Sequence, residues 1–176
     1  MIFSETRIPG CFLIKPEPRR DDRGFFARTY CPDEFAAAGI TFAPVQTNLS
    51  RNDKAFTLRG MHFQAPPHAE AKLVQVARGA IRDVVVDLRP DSPAFRQWIG
   101  ADLSADNLHQ LYIPEGCAHG FLTLEAGTDV LYGMGRKYVP GHARGYRYDD
   151  PAFSIEWPRP PAVIAPADEA WPSFGA

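Results

Sequence analysis

At 176 residues, 45% hydrophobic and 23% charged, the chain is long enough for one domain with a sizeable core, and its composition is that of a soluble globular protein. With 19 basic and 21 acidic residues its net charge is −2, without the basic surplus of a nucleic-acid binder. Three widely spaced cysteines (Cys11, Cys31, Cys117) with no CxxC pair, and no apolar run of membrane-spanning length, argue against a disulfide framework, a zinc site and a membrane span, and point to the cytoplasm.

In chain order, MIFSETRIPG lacks the basic-then-apolar pattern of a signal peptide. CFLIKP reads as a strand. EPRRDDRG reads as a solvated loop whose Arg19, Arg20 and Arg23 would suit a phosphorylated small molecule. FFARTYC has strand character, and PDEFAAAG reads as a short helix with Pro32 early and Gly39 as its stop. The runs ITFAPVQ, TLRGMHFQ, KLVQVA, AIRDVVVDL and RQWIGADL follow as strands, then a possible second short helix near SADN, then the strands HQLYIP, GFLTL, DVLYGMG and SIEW. From Pro158 to Pro166 the chain reads as an extended arm lying over the body. Many short strands between 17 prolines and 14 glycines predict an all-β fold: one jelly-roll barrel over residues 1–176 with one or two short helices.

Several side chains sit where a barrel strand would hide them. His62 lies in an apolar run and shares a strand face with Gly60 and Gln64, where Gly60 would leave room for a ligand. By itself His62 reads more readily as a hydrogen-bonded core histidine. Lys72 shares a face with Val74 and Val76, and reads equally as a strand-end lysine reaching solvent or as a charge held for a ligand. His119, Phe121 and Thr123 share a face, as do Tyr132 and Tyr138 if their strand is continuous. A 2-His-1-carboxylate metal site does not fit, because His62 and His68 stand six apart with two prolines between them.

The stretches DDRGFF, VQTNLS, LRGMHFQ, KLVQVARGAIRDVVVDLR, LYIPEGCAHGF, LYGMGRKYVP and YDDPAFSIEWP, in this order, resemble the dTDP-4-dehydrorhamnose 3,5-epimerase family over nearly the whole chain. The resemblance implies a cupin-type jelly roll of the dTDP-L-rhamnose pathway, acting on a nucleotide-linked 4-keto-6-deoxyhexose without metal or redox cofactor. It makes His62 the base, Asp168 (in IAPADEAWPSF) its orienting partner, Lys72 the cation near the sugar 4-keto oxygen, and Tyr132 the acid. Tyr138 becomes a second active-site tyrosine, and Arg23, Gln46, Asn48, Arg59 and His119 fall on substrate-binding positions. Arg28 falls on the nucleotide side, where the family has a glutamate. Strand parity puts Arg59 opposite His62, so its assignment requires a bulge or a site at the strand's edge. The family further implies a homodimer whose N-terminal strands cross to the partner's sheet. Departures are QTNL for the usual QDNH, Gly133-Met134-Gly135 for a Lys-Thr-Thr-like run, and Cys117 for phenylalanine. Other readings are an epimerase of a different sugar nucleotide or of C3 alone, a cupin ketoisomerase, a metal-dependent cupin oxygenase, and a non-catalytic sugar-binding barrel.

Overall fold

The alternating segments pair into two facing sheets. In the computed structural model, residues 1–175 are described. One sheet runs β1 (Ile2–Glu5), β2 (Phe12–Lys15), β10 (Gln110–Ile113), β7 (Lys72–Arg78), β12 (Thr128–Met134) and β5 (Gln46–Asn52). The other runs β13 (Ala143–Gly145), β6 (Thr57–Gln64), β11 (Cys117–Thr123), β8 (Ala80–Asp87) and β9 (Trp98–Ser104), with β14 (Val163–Ile164) added in parallel to β6. A separate hairpin pairs β3 (Arg19–Asp21) with β4 (Gly24–Phe26). The helices are α1 (Pro32–Ala37) and α2 (Pro166–Glu169). This is the cupin-like jelly roll expected from the sequence.

Residue parity explains the packing. Val74 and Val76 of β7, Val85 of β8, Phe121 of β11 and Val130 of β12 point between the sheets and form the central core. The opposite parity of β8 and β11 places Val84, Val86 and Ala118 on the outer face, where Phe153, Trp157 and Phe174 of the C-terminal segment cover them. Strands buried on both faces lose clean alternation, which is why β8 reads as nearly continuous valine. On the other sheet, Phe35 of α1 packs with Phe42, Leu73 and Tyr112.

Some segments differ from the sequence expectation. SADN is a turn, closed by Asn107 Oδ1 accepting the Ser104 and His109 N–H groups; the second helix is instead α2. ITFAPVQ is irregular up to Val45, because Ile40 and Phe42 pack beneath α1 without pairing in a ladder. FFARTYC is a strand only through Phe26, and SIEW is irregular, its Trp157 indole donating to the Tyr148 carbonyl. EPRRDDRG, expected as a loop, is most of the β3–β4 hairpin.

The bulge that Arg59 required is present. His119 pairs with His62 and Phe121 with Arg59, so Gly120 alone opposes both Gly60 and Met61. The extra residue turns Arg59 and His62 to the same cavity. Gly60 was expected to make room for a ligand; what it admits instead is the neighbouring strand. Its φ is +150°, and a Cβ there would stand 2.6 Å from Gly120 Cα. Gly60→Ala is therefore expected to lower stability by about 2–4 kcal/mol. A thermal melt reads the effect, and an unchanged midpoint would contradict this account of the bulge.

Candidate active site

A cavity of about 430 Å³ opens between the sheets, a volume suited to a small-molecule ligand. Its walls come from both sheets: Arg59, His62, His119 and Phe121 from one, Asn48, Lys72 and Tyr132 from the other, with Tyr138 and Trp171 from the segments beyond.

His62 is oriented from behind. Its Nε2 lies 2.7 Å from Asp168 Oδ1, and Asp168 Oδ2 accepts the Gly60 N–H at 3.3 Å. Sequence distance is bridged by the C-terminal arm. β14 pairs with Thr57 and Leu58 at the start of β6, and α2 then sets Asp168 against the bulge. Burial raises the Asp168 pKa, but the hydrogen bonds from His62 and Gly60 and the charge of His62 outweigh it, so the carboxyl lies below its ordinary value. The ionised acid holds the Nε2–H tautomer, leaving Nδ1 free. The imidazole is 41% exposed by side chain, and Trp171 closes its side edge-on with ring centroids 6.1 Å apart.

Lys72 does not reach solvent. Its side chain is 8% exposed, and Nζ pairs at 3.0 Å with Glu70 Oε1, itself 7% exposed. Burying an ammonium beside a cavity is tolerable only with such a partner.

Tyr132 faces the cavity from the sheet opposite His62. Its pKa is raised first by burial and then by the nearby Asp83 carboxylate, with Ser50 and Arg59 opposing. The phenol therefore keeps its proton at neutral pH. His119, cross-strand from His62, lines the cavity and holds Nε2 2.6 Å from Asp83 Oδ1, a second imidazole–carboxylate pair whose acid is buried behind the wall.

The remaining expected residues divide. Asn48 lines the cavity, with Gln46 behind it: Gln46 Nε2 donates to Asn48 Oδ1, and Gln46 Oε1 accepts the Tyr138 N–H. Tyr132 and Tyr138 do not share a strand face, because β12 ends at Met134; Tyr138 meets the cavity from the irregular segment that follows. Arg23 and Arg28 lie elsewhere. Arg23 is exposed and pairs with Asp21, whereas Arg28 pairs with Glu34 at 2.8 Å beside a separate cavity lined by Arg19 and Phe26. Glu70, Asp83 and Trp171 were not foreseen. The signal available for Asp83 was its parity with Ile81 and Val85, and for Glu70 its spacing of two from Lys72.

The chain matches known proteins over nearly its whole length. A family profile described as dTDP-4-dehydrorhamnose 3,5-epimerase covers residues 5–176. The chain belongs to that family. Its isomerase-class members include a dTDP-4-dehydrorhamnose 3,5-epimerase of Sinorhizobium fredii, 40% identical over 99% of this chain and 90% of the relative. A Bacillus anthracis family structure with TDP and PPi bound superposes with a TM-score of 0.95 at 42% identity, covering 98% of this chain and 99% of that one. A Legionella pneumophila family structure, in complex with dTDP-4-keto-L-rhamnose, gives 0.92 at 37% identity over 98% and 92%. Among the described residues no helix is long and apolar enough to cross a membrane.

Proposed function

We propose that the protein epimerises dTDP-4-dehydro-6-deoxyglucose at C3 and C5, giving dTDP-4-dehydrorhamnose, with the whole chain acting as one catalytic domain in the cytoplasm. The observation that carries this reading is the opposition of an Asp168-oriented imidazole and a protonated phenol across one cavity, with a buried ammonium between the same walls.

The C–H bonds at C3 and C5 flank the 4-keto group and are acidic. His62 Nδ1 takes the proton from one of these carbons. The C–H electron pair becomes the carbon–carbon π bond of an enolate, and the negative charge moves to O4. Lys72 faces that oxygen and stabilises it in a water-poor site. Tyr132 then gives its proton to the carbon from the other face, inverting it. Imidazolium and phenolate return to their starting states by exchange with solvent, and the raised pKa of Tyr132 favours its recovery of a proton. Asn48, Arg59, His119 and Tyr138 hold the sugar nucleotide, with Gln46 supporting Asn48 and Tyr138 from behind. The chemistry asks for no metal or redox cofactor. Mixing the protein with dTDP-4-dehydro-6-deoxyglucose and following the proton NMR spectrum tests the reading. Conversion to the rhamno configuration is expected, and an unchanged hexose overturns it.

Arg23 and Arg28 join the site in a homodimer. The β3–β4 hairpin stands outside both main sheets and exposes Phe25 and Phe26, the latter 76% exposed, beside its arginines. Such a hairpin suits exchange with a second subunit, where it would carry Arg23, and the segment that follows it Arg28, toward the nucleotide. Light scattering at micromolar protein is expected to give twice the chain mass. A monomer that still turns over substrate would overturn the exchanged dimer.

A further inference from the structure

Glu70 is a buried carboxylate in the cavity wall for which the proton transfers above have no use. Each of its oxygens is occupied. Oε1 meets the Lys72 ammonium at 3.0 Å, and Oε2 accepts Gln64 Nε2 at 2.7 Å. Gln64 is itself buried, and its amide is fully engaged: Nε2 also reaches the Lys137 carbonyl at 3.4 Å, while Oε1 accepts the Val139 N–H at 2.8 Å. A carboxylate can only accept and a backbone N–H can only donate, so this amide has one permitted orientation. The result is a continuous chain from the ammonium, through Glu70 and Gln64, to the backbone on either side of Tyr138. That backbone has no regular structure between β12 and β13.

Resting on the proposed reaction, we infer that Glu70 is a positioning residue: anchored by Gln64, whose amide is fixed by the backbone on either side of Tyr138, it holds the Lys72 ammonium toward O4. Lys72 has a flexible four-carbon stem. An ammonium buried without a counter-ion would leave the cavity or lose its charge. Glu70 comes from the residues leading into β7, two positions before Lys72, and so travels with the strand that carries the lysine. Gln64 sits at the end of β6, two positions past His62, and links this pair to the sheet that bears the base.

A double-mutant cycle tests the inference, reading deuterium exchange at C3 and C5 of the substrate in D₂O alongside dTDP affinity. Glu70→Gln keeps size and is expected to slow exchange on the order of 10–10²-fold, as a small misplacement of a charge at a reacting atom does. Affinity for dTDP, which lacks the 4-keto hexose, should stay within about twofold of wild type, so that the loss falls on turnover. In a Lys72→Met background, Glu70→Gln should cost nothing further, because a residue acting only through the lysine has nothing left to position. The double variant also removes both buried charges together, which guards against a single variant that merely fails to fold. Wild-type exchange in the Glu70→Gln single variant, equal losses of exchange and dTDP affinity, or an additive cost in the Lys72→Met background would each overturn the inference. The wild-type protein is the reference. Absence of exchange there overturns the reading of the whole site, whereas normal wild-type exchange with an unimpaired Glu70→Gln variant overturns this inference alone.

Discussion

His62→Ala and Asp168→Asn are both expected to lose solvent exchange at C3 and C5 of the 4-keto sugar, by on the order of 10²–10⁴-fold, the range for removal of a general base. The two losses have different origins. His62→Ala has no base. In Asp168→Asn the imidazole remains, but the partner 2.7 Å from its Nε2 is now a neutral amide. Such a partner can present N–H in place of oxygen, so neither the tautomer nor the imidazolium is held. The Asp168 carboxyl stays ionised at neutral pH. Asp168 has a folded pKa below its unfolded value, so its contribution to stability is present above the ordinary carboxylate range and is lost as pH falls through the lowered folded value. Exchange rates measured at neutral pH therefore report the substitution and not a partial titration of the carboxyl. Wild-type exchange in either variant would remove the dyad from the mechanism.

Tyr132→Phe should separate two events that the wild-type protein performs together. The base and ammonium are untouched, so the enolate still forms, and the imidazolium returns a deuteron from the face it attacked. Exchange then continues while inversion fails. The separation depends on the two side chains approaching from opposite sheets, His62 on β6 and Tyr132 on β12. Lys72→Met should behave otherwise, suppressing exchange and inversion alike, because the charge on O4 loses its partner in a site where water cannot replace it. Following exchange and configuration for both variants in D₂O distinguishes the roles. Inversion at the wild-type rate in Tyr132→Phe would pass the acid's role to Tyr138 or to water.

What the sequence discloses follows from how each segment is buried. β6 and β7 are buried on both faces and show no clean alternation, so they were legible as short apolar runs between turn residues, and motif order carried the fold and the family. Lone apolar runs were misleading. ITFAPVQ and SIEW are apolar because they cover the outer faces of sheets, and covering a sheet does not require pairing with one. β5 has the opposite character: its QTNLSRN is mostly exposed and polar, and only pairing with β12 makes it a strand. At the site, the pairing of Asp168 with His62 was legible only through the family resemblance, because no spacing in the sequence shows it. Asp168 reaches His62 only because the proline-rich arm pairs along β6, and the position of Arg59 turned on one extra residue at Gly60–Met61. The acids behind Lys72 and His119, Glu70 and Asp83, are ordinary charged residues until burial shows that each needs a partner.

The most direct test of the central claim, proton transfer from opposite faces of one enolate, is the wild-type reaction with dTDP-4-dehydro-6-deoxyglucose in D₂O, followed by NMR at each ring carbon. The account predicts one deuterium at C3 and one at C5, both carbons inverted, with the carbonyl still at C4. Retention of both protons, or a carbonyl moved to C3, would contradict it.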